Sequence, residues 1–374
     1  MTELDRLIQQ LCPDGVEYKP IKEQYQRLKG TPITAAKMKE IEAPDGDIRI
    51  FAGGKTVIDT YEKDIPNANI IRVPAVLVQS RGVIDAIYYE SPFTFKNEMW
   101  AYTHENKTAV KFLYYVLKGN VGKFREAASG MGSLPQISLK VTEDFEVPVP
   151  PLPVQREIVR ILDSFTELTA ELTAELTARK KQYEYYRNKL LSFKESVEVS
   201  MLQDCCALYR GEYITKKDAV PGNIPVILGG QEPAYYIDRY NHTGAAIVIS
   251  RSGASAGFVS YWNEPIFVTD GFIVEGTSQI NTKFLYYFLK NKQEILNGMK
   301  KGGGVPHITG RNIGDIKIPI IPIKTQEYIV SILDRFDALC NDLTQGLPAE
   351  IEARKKQYEY YRDKLLSFKE IEQA

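Results

Sequence analysis

Three short segments carry residue types that could do chemistry. Gly53-Gly54-Lys55-Thr56 ends like a phosphate-binding loop, but Arg49 stands where the first glycine of that loop belongs. Asp315-Ile316-Lys317 has the carboxylate-x-lysine pattern of some nucleases, with no partner acid identifiable nearby in the sequence. Gly302-Gly303-Gly304 is not a dinucleotide or S-adenosylmethionine loop, and the Asn/Asp-Pro-Pro-aromatic tetrad of amino-methyltransferases does not occur. The sequence therefore predicts a chain that catalyses nothing.

Polar and cationic side chains in glycine-rich loops point instead to binding. Arg, Lys, Asn, Gln and Ser can pair with DNA base edges, and glycine lets the backbone approach a phosphate closely. The loops 129–138 and 300–309 occupy equivalent positions, although both could be ordinary turns between a helix and a strand. The predicted binding residues, which would be DNA contacts in a nucleic-acid-binding protein, are, in the first half, Lys55, Gln79, Arg81, Arg125, Ser133 and Gln136, and, in the second half, Gln231, Arg251, Ser252, Ser255, Lys300, Lys301, His307 and Arg311.

These loops lie in two copies of one module, each of which ends in the same helix. Residues 178–195 read ARKKQYEYYRNKLLSFKE and residues 353–370 read ARKKQYEYYRDKLLSFKE, so that 17 of 18 positions agree. A period near 175 residues is too long for a solenoid unit. The chain therefore contains two copies of a domain followed by a helix.

One part of each module is constant and another part has diverged. Upstream of the repeated helix, VQREIVRILDSF at 154–165 resembles TQEYIVSILDRF in the second copy. The stretches 20–105 and 200–275 share little beyond a Gly-Gly pair and an arginine after a β-like run, Arg81 in one and Arg251 in the other. Two similar helices attached to divergent domains suggest that the helices meet the same partner twice while the domains read different things.

The segment 154–194 has apolar residues at three- and four-residue steps, which is a helical stripe. About 40 residues at 1.5 Å each give a rod of roughly 60 Å, too long for one small domain. The segment 325–369 has the same stripe, so the simplest arrangement is a two-helix coiled coil. The second copy carries four extra residues, and Gly346 and Pro348 within them predict a break in its helix.

The segment 166–178, TELTAELTAELTA, is a four-residue repeat, and one unit of it adds about 6 Å to a helix. The globular parts mix β-like runs, such as 70–78 and 245–249, with short helices such as 108–117 and 282–289. An α+β fold follows, with a small mixed or twisted sheet in each of two similar domains.

Composition sets outer limits on the kind of protein. The chain has 374 residues, enough for two domains with their own cores, and lacks an apolar run of 18 residues or a signal peptide, so we expect a cytoplasmic protein. Four cysteines without CxxC spacing and three scattered histidines argue against a disulfide framework, a metal site or a cofactor held by them.

Charge does not favour nucleic-acid binding by itself. The net charge is −1, with 19 basic against 20 acidic residues before Val154 and 13 against 11 between Glu198 and Lys324. Nucleic-acid binders usually present a basic face, so either the cations cluster on one surface or a partner supplies part of the phosphate contact. Two other classes stay open, namely an enzyme with duplicated domains and a non-DNA scaffold or coiled-coil spacer with duplicated binding domains.

The chain resembles the specificity subunit of Type I restriction-modification systems. The resemblance is carried by the repeated helix, the TAEL-type repeat before it, PLPVQREIVRILDSF at 151–165 and LIQQLCPDGVEYKPI at 7–21. It implies a non-catalytic subunit in which two target recognition domains each read one half of a bipartite double-stranded DNA target. Two helical regions would pack antiparallel, in a pseudo-twofold arrangement, and set the spacing. The implied boundaries are recognition domains at 1–153 and 198–324 and helical regions at 154–197 and 325–374.

The same resemblance implies that two methyltransferase subunits bind the chain and that restriction-translocase subunits can join. Aromatic and arginine side chains are favoured interface anchors, and those of the repeated helix cannot all face one helix. The alternative for them is core packing plus a solvated charged face. The predicted partner contacts are Lys180, Lys181, Tyr183, Tyr185, Tyr186, Arg187, Lys355, Lys356, Tyr358, Tyr360, Tyr361 and Arg362.

Overall fold

The backbone divides into two units whose boundaries fall inside the long helices. Unit 1 consists of Met1–Leu172 together with Ile351–Ala374, and unit 2 is the continuous segment Thr173–Glu350. The structure is a computed structural model that describes residues 2–54, 56–129, 134–217, 219–228, 232–302 and 304–371.

Short strands and helices make up the first module. Its helices are α1 Glu3–Leu11, α2 Ile21–Gln24, α3 Ala35–Glu40, α4 Lys107–Gly119, α5 Val121–Glu126, α6 Leu139–Glu143 and α7 Leu152–Leu190. Its strands are β1 Tyr18–Pro20, β2 Gln26–Leu28, β3 Ile48–Phe51, β4 Val57–Thr60, β5 Ala75–Gln79, β6 Asp85–Tyr89, β7 Phe93–Phe95, β8 Trp100–Thr103 and β9 Glu146–Pro148.

The second module repeats this order of elements. Its helices are α8 Leu202–Cys205, α9 Thr282–Asn291, α10 Gln293–Gly298, α11 Gly310–Gly314, α12 Ile323–Asn341 and α13 Leu347–Leu365. Its strands are β10 Val199–Met201, β11 Ala207–Arg210, β12 Ile224–Ile227, β13 Tyr235–Ile237, β14 Ala246–Ser250, β15 Val259–Trp262, β16 Phe267–Val268, β17 Gly271–Glu275 and β18 Lys317–Pro319.

The strands of the two units pair in the same order. Unit 1 has sheets β2-β8-β5-β6 and β4-β3-β7 and the pair β1-β9, and unit 2 has β11-β17-β14-β15, β13-β12-β16 and β10-β18. The pairs β3-β7 and β12-β16 are parallel. The diverged stretches 20–105 and 200–275 therefore share one topology. The inner strands β5 and β14 are buried along their whole length, which demands apolar side chains at most positions without fixing which ones.

The mixed α/β fold class predicted from the sequence is confirmed, with small changes at element ends. Helices α4 and α9 contain the predicted helical segments. Strand β5 begins at Ala75 instead of Ile70, since Pro74 has no amide hydrogen to donate to a neighbouring strand.

Helix α7 is continuous over 39 residues, and its first half belongs to unit 1. Ile158 and Leu162 are fully buried in the core of that unit, and Leu365 from the end of α13 packs against the same core. Phe165 of α7 stacks on Tyr361 of α13 with ring centroids 5.5 Å apart. Unit 1 is thus completed by the repeated helix of the other module.

The same exchange occurs within unit 2. Ile329 and Leu333 of α12 are buried in its core. Phe336 of α12 stacks against Tyr183 and Tyr186 of α7, with ring centroids 5.9 and 5.7 Å away. In each unit the start of one helical region lies against the end of the other, which is the pairing that an antiparallel arrangement predicts.

The predicted break in the second helical region is confirmed. Helix α12 ends at Asn341 and α13 begins at Leu347. Between them the Asp342 carboxylate accepts hydrogen bonds from the amides of Thr344 and Gln345 at 2.7 and 3.2 Å, an Asx turn that replaces helical bonding. A Cβ at Gly346 would lie 2.5 Å from the Ala338 carbonyl oxygen, so the turn closes only without a side chain there.

Hydrogen bonds in unit 1 replace a connection that is covalent in unit 2. The Val16 amide donates to Lys369 O at 2.9 Å, and the Ile371 amide donates to Val16 O at 3.1 Å. Glu17 and Glu198 are equivalent, because each carbonyl accepts from the residue after β9 or β18, at 2.9 and 2.8 Å. In unit 2 the chain runs directly from the repeated helix to Glu198. In unit 1 backbone hydrogen bonds bring residues 15–17 to the end of the second copy.

One tyrosine–aspartate bond fixes a long helix to each domain. Tyr115 of α4 donates to Asp163 of α7 at 2.5 Å, and Tyr287 of α9 donates to Asp334 of α12 at 2.5 Å. Burial, together with the bonded carboxylate, raises the pKa of both tyrosines well above the usual value. Both phenols are therefore neutral donors over the whole physiological pH range.

Removing this donor should weaken each unit. We expect Tyr115→Phe and Tyr287→Phe each to lower the free energy of unfolding by about 1–2 kcal/mol, the cost of losing a partly buried bond to a charged acceptor. Urea denaturation measures the change. Tyr114→Phe is the matched control, since among the described residues no hydrogen bond is recorded for the Tyr114 hydroxyl. Equal losses in the control and in the two variants would contradict the assignment.

Candidate nucleic-acid interface

In unit 1 the turn after β5 is held to the loop before α6. The Gly82 amide donates to Pro135 O at 2.9 Å, and the Ile137 amide donates to Ser80 O at 3.0 Å. Gly82 has a φ of +75°, in the left-handed region that side chains disfavour. The turn therefore depends on glycine to bring the two segments together.

Unit 2 repeats these bonds. The Gly253 amide donates to Pro306 O at 2.9 Å, and the Ile308 amide donates to Arg251 O at 2.9 Å. Gly253 has a φ of +81°. The predicted equivalence of the glycine-rich loops 129–138 and 300–309 is confirmed by this shared bonding.

The same bonds correct the pairing of the two arginines. Ser80, and not Arg81, accepts the hydrogen bond that Arg251 accepts in unit 2. Arg81 then corresponds to Ser252, one position later. Sequence comparison paired Arg81 with Arg251 because both follow a β-like run, yet their side chains occupy different places in the two turns.

Several predicted contacts of unit 1 come together at this turn. Arg81 and Gln136 are exposed and paired by a β-bridge. Arg125, also exposed, donates to Ile84 O at 3.3 Å, so its guanidinium lies beside the same turn. Ser133 falls outside the described residues.

Gln79 has a structural contact instead of a free amide. Its side chain is 5% exposed, and its Nε2 donates to Gly54 O at 2.6 Å. This bond ties the glycine turn between β3 and β4 to the end of β5. Lys55 of that turn falls outside the described residues.

Unit 2 gathers cations around the equivalent turn. Lys301 and His307 exchange two backbone hydrogen bonds of 3.0 and 2.9 Å, and both side chains are exposed. Lys300 Nζ donates to Ala254 O at 2.8 Å, which holds its aliphatic chain across the turn. The Arg311 side chain, on α11, is 90% exposed. Ser255 is exposed in the turn itself, and Gln231 falls outside the described residues.

A carboxylate that the sequence analysis missed organises this turn. Asp270 accepts hydrogen bonds from Arg251 Nε at 2.6 Å and from the Ser252 hydroxyl. In unit 1 the equivalent residue is Glu98, whose carbonyl accepts from the Ser80 hydroxyl and whose carboxylate pairs with Lys96 at 3.0 Å. The sequence feature that could have indicated Asp270 is an acidic residue between two apolar segments, which form buried strands.

The predicted partner-binding residues divide into two faces of the repeated helix. Tyr183 and Tyr358 face the packing, and burial raises the pKa of Tyr358 to about 12. Arg187 and Arg362 lie over these two rings, 5.6 and 5.7 Å from the centroids. Tyr186 also stacks on Phe336, and Tyr361 stacks on Phe165, although each tyrosine is 36% exposed.

The other face of the repeated helix points to solvent in both units. Tyr185 is 60% exposed and Tyr360 is 62% exposed. Near-identical exposure of equivalent aromatic side chains means that one surface is presented twice. Exposed lysines flank both tyrosines, namely Lys180, Lys181, Lys355 and Lys356.

None of the helices formed by the described residues is both long and apolar enough to cross a membrane. Within the same part of the chain, no three His, Cys, Asp or Glu side chains are grouped so that they could hold a metal ion.

Comparison with known proteins places the chain among restriction proteins. A family model described as the Type I restriction modification DNA specificity domain matches residues 13–179 and 194–353. The Escherichia coli EcoR124I/EcoR124II specificity subunit is 35% identical over 299 residues, 71% of this chain and 72% of that protein. A putative type I restriction enzyme specificity subunit of Haemophilus influenzae is 36% identical over 302 residues, 72% of this chain and 77% of that protein.

A solved structure supports the fold. The S subunit of a Type I restriction-modification system from M. genitalium superposes with a TM-score of 0.65, over 94% of this chain and 95% of that one. Its sequence identity is 21%, so the likeness concerns the fold.

The glycine requirement of the turn after β5 can be tested within unit 1. We expect Gly82→Ala to lower the free energy of unfolding by about 1–2 kcal/mol, because a Cβ strains the left-handed backbone. Gly122→Ala is the matched control, since Gly122 lies in α5 with no atom within 4 Å of an added Cβ. There alanine should stabilise by about 0.5–1 kcal/mol through helix propensity. Changes of the same sign in urea denaturation would rule out the strained turn.

Proposed function

This chain belongs to the Type I restriction-modification DNA specificity family, and from that premise we propose that it selects the DNA target of a methyltransferase complex. The two recognition domains, 1–153 and 198–324, each read one half of a bipartite double-stranded target. The chain contributes no catalysis of its own and uses no cofactor, and it acts in the cytoplasm.

One observation carries the DNA-reading half of this proposal. The two units hold the same turn with the same backbone hydrogen bonds, yet present different side chains from it. A constant scaffold with variable loop residues is what two readers of unlike sequences require. Arg81, Gln136 and Arg125 would serve the first half-site, and Arg251, Lys301 and Arg311 the second, with Lys55, Ser133, Gln231, Ser252, Ser255, Lys300 and His307 as further candidates.

The near-neutral net charge of the chain is compatible with local phosphate contacts. Although the net charge is −1, exposed cations lie beside the turns after β5 and β14, which we call the recognition turns. Examples are Arg125 in unit 1 and Lys301 and Arg311 in unit 2. Phosphate contacts by such side chains supply non-specific affinity. The remaining phosphate contacts would come from the partner subunits, so binding should be tight only in the assembled complex.

We assign spacing and docking to the helical regions, 154–197 and 325–374. The exposed face around Tyr185 and Tyr360 occurs twice, which suits two copies of one partner, and we propose methyltransferase subunits there. Lys180, Lys181, Lys355 and Lys356 would contribute to this docking face. A restriction-translocase subunit would join this core complex. The unbroken part of α7 around the TAEL repeat would fix the distance between half-sites.

The ruler makes a defined prediction. Deleting Thr173–Leu176 shortens α7 by about 6 Å, so the preferred gap between half-sites should shorten while both half-sites stay the same. Methylome sequencing of a host that expresses the variant with its methyltransferase subunits measures this. Glu171→Gln, which keeps the length, should leave the gap unchanged. An unchanged gap after the deletion would overturn the spacing role.

The docking face can be tested with exposed tyrosines alone. Tyr185→Ala with Tyr360→Ala should weaken co-purification of the methyltransferase subunits by about tenfold or more, as removal of two interface anchors would. Tyr209→Ala is the matched control, because Tyr209 is 52% exposed on β11, outside both helical regions. If the control weakened binding as much as the double variant, or the double variant bound normally, docking would lie elsewhere.

A further inference from the structure

Arg251 is the most firmly positioned cation of the recognition turns. Its amide donates to Asp270 O at 3.0 Å, and its carbonyl accepts from the Ile308 amide at 2.9 Å. Its Nε donates to Asp270 Oδ1 at 2.6 Å. Backbone and side chain are thus both fixed, while the side chain keeps 35% of its surface exposed.

The carboxylate that holds Arg251 is itself held. The Ser252 hydroxyl donates to Asp270 Oδ2 while Arg251 Nε occupies Oδ1. Both carboxylate oxygens therefore have partners, which fixes the plane of the carboxylate and, through it, the plane of the guanidinium. The Asp270 side chain is only 20% exposed, so solvent competes weakly for this contact.

An arginine held through Nε keeps its two terminal nitrogens for another partner. Within the described part of the chain, the Arg251 guanidinium makes one hydrogen bond, from Nε to Asp270. The Nη1 and Nη2 atoms form a planar fork of parallel donors. Two adjacent acceptors match that fork, and guanine offers them as O6 and N7 in the major groove.

We propose that Arg251 reads a guanine in the half-site recognised by unit 2, with Asp270 as the positioning residue. This inference rests on the proposed function. It adds the base that is read, the arginine that reads it and the aspartate that orients the arginine. Among the described residues, Arg311 Nε lies 3.8 Å from the Asp315 carboxylate, farther than the 2.6 Å that separates Arg251 from Asp270. Arg311 and the exposed Lys301 therefore suit phosphates. Fixing the fork before binding reduces the ordering cost of a base contact.

Unit 1 has no arginine at the position equivalent to Arg251. Ser80 replaces Arg251, and Glu98 pairs with Lys96, 3.0 Å away. Lysine is a compact point charge without a planar fork. The first half-site must be read by other side chains, so an arginine held by a carboxylate at this position should belong to unit 2 alone.

The test uses the chain assembled with its methyltransferase subunits. Methylome sequencing of the wild type defines the bipartite target, and binding is then measured on duplexes carrying each base pair at each position of the second half-site. A further duplex carries 7-deazaguanine, which lacks the N7 acceptor. Wild type should discriminate for guanine at one position by about 10- to 100-fold, and should lose about tenfold or more on the 7-deazaguanine duplex.

Two variants and a control complete the design. Arg251→Met, which has a side chain of similar length without donors, should lose the guanine preference and become insensitive to 7-deazaguanine. Asp270→Asn should weaken the preference while retaining part of it, because Arg251 remains but is less well held. Arg239→Met is the matched control, since Arg239 pairs with Glu212 at 3.3 Å on the exposed surface of the same unit. It should keep the full preference. Thermal melting and readout of the first half-site verify that each variant is folded.

The outcomes separate this inference from the proposed function. A second half-site without a G·C pair, or a guanine preference that survives Arg251→Met, would overturn the guanine contact of Arg251 while bipartite recognition stands. A uniform loss on all duplexes in Arg251→Met, with no wild-type response to 7-deazaguanine, would assign Arg251 to a phosphate and overturn it too. Absence of any bipartite recognition by wild type would sink the proposed function itself.

Discussion

The structure depends on the burial of one apolar stripe that is too long for either domain. Helix α7 extends over 39 residues, and a domain core of this size covers only a few turns of it. Ile158 and Leu162 are buried at one end, and Tyr183 packs at the other end in a different unit. Each fully buried aliphatic side chain contributes about 1.5–3 kcal/mol, so several such contacts hold the first end of the helix. The partly buried Tyr183 and Leu190 hold the other end. One end of the long helix thereby becomes part of the core of unit 1, and the other end packs against the core of unit 2.

Rigid packing below the turns after β5 and β14 leaves the side chains of these turns free to vary. The turn after β5 or β14 is fixed by backbone amides and carbonyls and by a left-handed glycine, and these bonds place no demand on neighbouring side-chain identity. Ser80 can therefore stand where Arg251 stands without disturbing the fold. What changes is the role of the local carboxylate. Glu98 pairs with a lysine, whereas Asp270 sets the plane of an arginine, so a small substitution alters what the surface can bind.

Periodicity and repetition made the long helices, their break near Gly346 and the short helices α4 and α9 predictable from sequence. Identity between copies located the glycine-rich loops correctly. The shared strand order of the diverged stretches was not predictable, because burial constrains polarity and not residue identity. The register of Arg81 against Arg251 was misjudged for the same reason. Asp270 was not predictable, because its role depends on a contact with Arg251, 19 residues away. Gln79 was predicted as a DNA contact, but its amide is buried against the turn between β3 and β4.

The exchange of helices between modules also fixes an order of folding. Unit 2 is one continuous stretch of chain, 173–350, whereas unit 1 combines the first 172 residues with the last part of the chain. The core of unit 1 includes Leu365 and Phe368 as packing partners, so it stays open during synthesis until these residues leave the ribosome. The usual amino-terminal-first sequence of domain folding is thus reversed. The half of the molecule that is made first is finished last, and its uncovered apolar surface is the part of the nascent chain that most needs protection from aggregation.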